Sequence, residues 1–325
     1  MGRYIGKRLI QMVPVFFIVT IVAFLLMYLS PGDPVTALLA AGGSTVDADA
    51  AESMRRELGL DQPAWQQYFA WLGGVLTGNL GTSITSGRPV ATEIFSRMPA
   101  TLYLAVMTCV LTLIISVPLG FLCAVKRNSA WDNVIRALGF VGSSFPGFLM
   151  ALILIYLFAL YLHVLPSLGT MTPAGQVLPV ATLVLCESSV LVRQVRTIAL
   201  AELGEDYVTA EKLRGIKPSA TLFRSVLRSI LPTVLVLVGM MFGKLLGGSA
   251  IIETVFNWPG VGNYAVAQVF ARNYPVVQGY ALVMAVLFML VNLAVDIAQM
   301  MLDPRAKANL GLAKGVGSHG KRKWA

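Results

Sequence analysis

Charge is scarce in this chain. Only 13% of its 325 residues are Asp, Glu, Lys or Arg, about half the share in an ordinary soluble domain, which is about 25%. Against 56% apolar residues, that shortage excludes a soluble enzyme, a disordered chain and a secreted disulfide scaffold. Cysteine is rare too: Cys109, Cys123 and Cys186 stand inside apolar runs. Their number is odd and their spacing fits no ligand pattern, so neither a disulfide framework nor a metal site is expected. There are two histidines, His163 and His319, and no Ser/His/Asp set is visible. A phosphate-binding loop is also lacking. Gly2-Arg3-Tyr4-Ile5-Gly6-Lys7 and Gly239-Met240-Met241-Phe242-Gly243-Lys244 imitate one. Each has one residue too few between its glycines and no Ser or Thr after the lysine, so ATP is not bound by that route.

What is present is long apolar runs. Six stretches, 10–29, 101–125, 138–162, 177–195, 230–252 and 277–302, reach the roughly 20 residues that a helix needs to cross a bilayer. Backbone polar groups in lipid must be satisfied within the segment, so all six are expected to be helices. Pro14, Pro118 and Pro146 lie inside or near the ends of these spans and are expected to kink them. The first run is longer than a signal-peptide core and is followed by Ser30-Pro31-Gly32-Asp33-Pro34 rather than a small-x-small cleavage site, so it reads as an uncleaved helix.

Orientation follows from the basic residues. Nineteen of the 25 Lys and Arg fall before the first span, between the second and third, between the fourth and fifth, or after Leu302. The positive-inside bias then places both termini in the cytoplasm. The formal charge of +9 is therefore topology, assisted by anionic lipid, and not a nucleic-acid footprint. The resulting plan is an all-α polytopic membrane protein. Residues 1–30 form an N-terminal cytoplasmic segment and first helix, and 31–100 an external segment. Residues 101–302 form a five-helix core with a cytoplasmic loop at 196–228 and an external loop at 255–276, and 303–325 a basic tail.

Three connections carry functional signals. In the external segment, a helix-like stretch at 49–58 precedes Gly59-Leu60-Asp61-Gln62-Pro63, then Trp65, Tyr68, Phe69 and Trp71. Asp61 reads as a helix start, and the aromatics suit an interfacial belt. An amphipathic lid on the membrane and a docking surface for an external partner are both open. In the second external segment, Trp258-Pro259-Gly260 marks a turn before a helix-length stretch, either an external gate or docking element or a structural cap. In the cytoplasmic loop, Glu202, Glu205 and Asp206 precede Tyr207 to Arg214 and Gly215. Acids first and bases last suit a helix dipole, and Gly215 is a stop. Pro218 bars continuation and Ser219 can restart a helix. Two short helices joined by a glycine turn are expected to protrude, as a solvated hairpin or as a lever seated in another subunit.

These residues resemble a known family. Thr209-Ala210-Glu211-Lys212-Leu213-Arg214-Gly215, followed by Ile230-Leu231-Pro232, is similar to the EAA loop of permeases in binding-protein-dependent ABC importers. The opening Thr-Ala-Glu in place of Glu-Ala-Ala, and the longer gap to Leu231-Pro232, resemble the dipeptide, oligopeptide and nickel branch. Arg3-Tyr4-Ile5, Pro31-Gly32-Asp33-Pro34, Leu58 to Pro63, Gly78 to Ser83, Pro99-Ala100-Thr101-Leu102, Glu253 to Gly262 and Leu302-Asp303-Pro304-Arg305 resemble the same branch, in order, over nearly the whole chain. The resemblance implies a type I importer permease, the first of a pair, in a bacterial cytoplasmic (inner) membrane. It implies a second permease, two cytoplasmic ATPase subunits and an external solute-binding protein as partners. ATP and Mg would act in the ATPase subunits, with no cofactor and no enzyme activity in this chain. Glu202, Asp206, Tyr207, Ala210, Arg214 and Gly215 would couple to an ATPase subunit. Small peptides are the first substrate choice and nickel or a nickel chelate the second. An ATPase-independent secondary transporter or channel is the rival from another class.

Ionisable residues near lipid depth are the last signal: Glu187, Lys244, Glu253 and Asp296. Each costs roughly 2.5–3.5 kcal/mol at a helix centre, so such groups face a bundle interior or a water-filled cavity. Lys244, with Gly243, Gly247 and Glu187, is expected to line a translocation path and attract a carboxylate, the alternatives being a structural pair with Glu187 or a lipid-facing snorkel. Glu253 and Asp296 read as structural groups near span ends, within reach of water.

Overall fold

The computed structural model describes residues 2–29, 35, 48–57 and 61–302. The motifs at Pro31–Pro34, Leu58–Leu60 and Asp303–Arg305, the basic tail and His319 lie outside the described residues. What is described is helices joined by turns and loops, with one isolated bridge between Thr82 and Pro89.

The first helix, α1 (Gly2–Tyr28), carries Pro14 inside it. Two short helices follow, α2 (Ala48–Glu57) and α3 (Ala64–Leu76). The helix expected to start at Asp61 begins at Ala64, with Pro63 at the capping position and no side-chain cap. The next helix, α4 (Val90–Val125), begins well before the expected Thr101, so the stretch assigned to the end of the external segment is helix. Pro99 and Pro118 both sit inside α4, where packing against neighbours accommodates them.

The expected single span at 138–162 is two helices. One is α5 (Ala130–Ser144) and the other α6 (Gly147–Tyr161), bent 102° from each other. Pro146 explains the elbow. The residue before a proline is pushed out of the helical region, and Phe145 is extended at φ −97°, ψ 138°. The remaining long helices are α7 (Val177–Leu203), α9 (Pro218–Val255) and α11 (Tyr274–Leu302). Two short ones, α8 (Asp206–Leu213) and α10 (Val261–Phe270), connect them. Among the described residues, five helices are long and apolar enough to cross a membrane, and six if the bent pair is one span.

The core is the seam of α4 with α7, with α9 laid across both and α11 behind α9. Small residues make the close approach possible. Thr108, Thr112, Ser116, Gly120 and Ala124 recur every fourth position on the buried side of α4. A Cβ at Gly120 would stand 2.8 Å from the Val192 carbonyl oxygen of α7. Gly239 and Gly243 do the same for α9 against α11, where a Cβ would collide with Val295 and Phe288. Helix α1 packs on α11, and Arg8 pairs with Asp296 at 3.1 Å. That pair bears out the structural reading of Asp296.

Candidate functional site

Three places hold the residues singled out from the sequence, and the long helices set them at different levels. The first is the loop between α7 and α9. Helix α7 runs on to Leu203, so Glu202 lies in its last turn. Gly204 and Glu205 turn the chain into α8, and Asp206 opens it. Tyr207 is half-buried and donates its hydroxyl to Glu202 Oε1 at 2.8 Å. Val208 is buried beneath α8, and Ala210 is half-buried on it. Arg214 and Gly215 are exposed, and Gly215 ends the helix at φ +74°, a conformation that favours glycine. The second expected helix is not separate. Pro218 sits at the first helical position and the chain continues through a π-helical turn (Thr221–Val226) into α9. Ser219 is therefore not its start.

A hydrogen bond fastens α8 to this π-turn. Ser225 donates to Glu211 Oε1 at 2.8 Å. The Thr221 and Ser225 hydroxyls hold the Glu211 carboxyl below the usual carboxylate range. Burial, and then the hydrogen bond to Glu202, push the Tyr207 phenol above its ordinary value. One side of α8 is thus fixed to the body. The other presents Asp206, Lys212, Arg214 and Leu213 to solvent, with Leu213 85% exposed. The sequence reading missed Leu213, whose signal was an apolar residue in an otherwise polar last turn.

Next to this loop lies a second network that the sequence reading missed. Asp132, in the first turn of α5, is fully buried. Arg196 of α7 grips it with two bonds of 2.8 Å, and the Asn128 amide adds a third at 2.9 Å. Ser129 caps α5 by accepting from the Asp132 amide. The spacing Ser129-x-x-Asp132 was a legible helix-start signal. The partner 64 residues away was not.

The second place is mid-bundle. Lys244 Nζ of α9 lies 2.7 Å from Glu187 Oε1 of α7. The lysine side chain remains 66% exposed while the glutamate is nearly buried. A Cβ on Gly247 or Gly248 would meet nothing within 4 Å. Met240, Lys244 and Ile251 are exposed at helical spacing on this side, so α9 has an open face with the cation at its centre. Gly243 is a correction: it belongs to the α9–α11 seam and not to the open face.

The third place is the turn from α9 into α10. Trp258 is fully buried, stacks on Tyr103 at 6.5 Å, and donates Nε1–H to the Ala100 carbonyl at 3.0 Å. Its assignment as a docking residue is therefore corrected. A side chain of that size gains more from the core than from water. Pro259 is exposed and Gly260 is buried. Glu253, expected within reach of water, is fully buried. Its Oε2 accepts the Asn263 amide at 3.0 Å and its Oε1 the Ser249 hydroxyl at 3.3 Å. Thr101 Oγ1 accepts the Val261 amide at 2.9 Å. The carboxylate and the hydroxyl thus occupy the donor-rich N-terminus of α10. A Cβ at Gly260 would collide with Glu253 and Thr101.

Among the described residues no group of His, Cys, Asp and Glu could hold a metal ion. What remains is a hinge-like loop with an apolar tip, an open helix face with one cation, and a locked cap.

Comparison with known proteins agrees with this architecture. Residues 116–308 match the family described as binding-protein-dependent transport system inner membrane component, and residues 1–105 match its N-terminal domain. The chain is 36% identical over 304 residues to the glutathione transport system permease protein GsiC of Escherichia coli (strain K12), covering 94% of this chain and 98% of that one. It is 35% identical over the same length to GsiC of Shigella boydii serotype 4. In structure it resembles an inward-facing form of the MetNI methionine ABC transporter, with a TM-score of 0.57 and 18% identity over 65% of this chain and 96% of that one.

Proposed function

The chain belongs to the family of binding-protein-dependent transport system inner membrane components, and from that premise we propose how its parts divide the work of import. It is a multi-pass permease subunit of an ABC importer. In our reading the α8 end faces the cytoplasm, because most of the basic residues lie at that end. The tip of α8, with Leu213 and Arg214, seats in a cleft of a partner ATPase subunit that binds ATP and Mg. Motion received there enters α7 through the Tyr207–Glu202 contact and α9 through the Glu211–Ser225 contact. The chain itself hydrolyses nothing. It shares the pathway with a second permease and receives its cargo from an external solute-binding protein.

The observation that carries this reading is the two-sided character of α8, one side bonded to both α7 and α9 and the other exposing an apolar tip. Burying that leucine in a partner cleft would gain about 1.5–3 kcal/mol.

The cargo we propose is a small peptide bearing a free carboxylate. The exposed cation at Lys244 on the open face of α9 supports a negatively charged group passing it, and the relatives named for glutathione transport carry a cargo of that class. The test is a reconstituted complex with its two ATPases. Leu213→Asp should leave the complex assembled or nearly so and abolish cargo-stimulated ATP turnover. Full stimulation in this variant would remove α8 as the coupling element.

A further inference from the structure

We propose that the cleft between α1 and α11 is a binding site for one anionic glycerophospholipid. The cleft has a volume of about 330 Å³, roughly ten times the share of one water molecule in the liquid. Its walls are mostly apolar, with Ala23, Leu26 and Met27 from α1 and Ala281 from α11. Arg272, Tyr274 and Gln278 interrupt them with polar groups.

Gln278 is the unusual one. Its side chain is 95% buried, with 5% exposure, and its amide nitrogen has no hydrogen-bond partner. An unpaired buried donor costs about 1–3 kcal/mol, and at the wall of a cleft a bound acceptor would offset that cost. Arg272 makes no ion pair or side-chain hydrogen bond with another described residue. It is held at φ +54°, in the turn between α10 and α11, a backbone position uncommon for residues other than glycine. Arg272 presents N–H donors only and a full positive charge, and Gln278 adds an amide N–H beside its carbonyl oxygen. The complementary ligand has acceptors and a negative charge, attached to something apolar enough for the remaining walls.

The level of the cleft in the bundle identifies the source. Tyr28, Tyr68 and Trp71 cluster around Phe24 of α1, one turn or less from Leu26 and Met27. Tyrosine and tryptophan mark the membrane–water interface, where phosphates and ester carbonyls lie. Ile18, Ile21, Val22, Leu25 and Leu26 of α1 are exposed, so the cleft opens onto a lipid-facing helix. The first turn of α11 separates Tyr274 from Gln278 by about 6 Å along the axis. Arg272 therefore sits at phosphate level and Gln278 one turn deeper, at the level of an ester carbonyl. An arginine at headgroup level forms a charge-assisted hydrogen bond with a phosphate, one of the stronger kinds.

The test uses the assembled importer in detergent, with lipid retention read by native mass spectrometry. The probes are phosphatidylglycerol, phosphatidylcholine and inorganic phosphate. We expect phosphatidylglycerol to be held in preference to phosphatidylcholine, and millimolar phosphate not to displace it. Arg272→Gln and Gln278→Leu should each weaken its retention roughly tenfold, the loss of one charge-assisted hydrogen bond. Ala281→Phe keeps both donors and narrows the cleft, and should weaken retention as much, so a Gln278→Leu complex that fails to assemble does not stall the test. Equal retention of the two lipids, displacement by phosphate, or undiminished retention in the assembled variants would each overturn the proposal.

Discussion

Removing the guanidinium that holds Asp132 should be among the most damaging single changes in the α5–α7 region. Arg196→Met deletes two bonds of 2.8 Å to a carboxylate with no exposed surface. The Asn128 amide remains at 2.9 Å, and Arg136 at 3.9 Å is half-exposed and worth under about 1 kcal/mol. Breaking one side of a buried pair costs about 3–5 kcal/mol, because the surviving charge is left without compensation. With one amide still in place, the lower end, about 3 kcal/mol, is expected for Arg196→Met. Asp132→Leu should cost a similar amount, since it strands Arg196 and removes the acceptor for Asn128. The double variant leaves no orphan charge and should recover about 2 kcal/mol relative to the sum of the singles. Denaturant-titrated unfolding of the purified permease in mixed micelles, followed by circular dichroism, measures all three. Uptake per folded complex should be unchanged, because the pair positions α5 and touches no cargo. A loss below about 1 kcal/mol for Arg196→Met, or strict additivity in the double variant, would refute the reasoning.

Four further outcomes follow from the geometry. Gly260→Ala must push a methyl into Glu253 and Thr101, so it should destabilise by about 1–3 kcal/mol and detach α10, seen as faster amide exchange at Val261 and Asn263. Leu213→Ala should leave thermal stability within about 0.5 kcal/mol, as an exposed site does, while lowering stimulated ATP turnover in the complex. Lys244→Met should reduce uptake of a carboxylate-bearing peptide more than of its amidated form, and equal reduction of both would take Lys244 out of the path. The loop should also titrate at both extremes. Tyr207 has its folded value raised, so its contribution is complete below about pH 10 and lost as pH climbs further. Glu211 has its folded value lowered, so its contribution is present above about pH 4.3 and lost as pH falls through the folded value. Pulsed proteolysis within 204–217 should be slowest between these limits.

The helical reading of the apolar runs held because it rests on a local rule: a segment in lipid must satisfy its own backbone. The helix stop at Gly215 and the polar order of α8 were legible for the same kind of reason, since capping and dipole effects act within one turn. The elbow at Pro146 was half-legible. The proline announced a disturbance, but a kink and a 102° break look alike in sequence, because neighbouring helices decide how far the chain turns. Trp258 shows the opposite failure. An aromatic in a turn motif between spans reads as a surface feature, yet the Ala100 carbonyl and the Tyr103 ring take it into the core.

Hydropathy, charge placement and turn chemistry thus made this chain a bundle of membrane-crossing helices with a protruding loop between α7 and α9, since those properties act over a few residues. Tertiary structure alone paired Lys244 with Glu187, clamped Asp132 to Arg196, set Glu253 on the N-terminus of α10 and buried the Gln278 amide nitrogen without a hydrogen-bond partner. Each of these outcomes depends on which faces of helices distant in sequence meet, and close packing of small residues such as Gly120, Gly239 and Gly243 settles that only once the whole bundle has assembled.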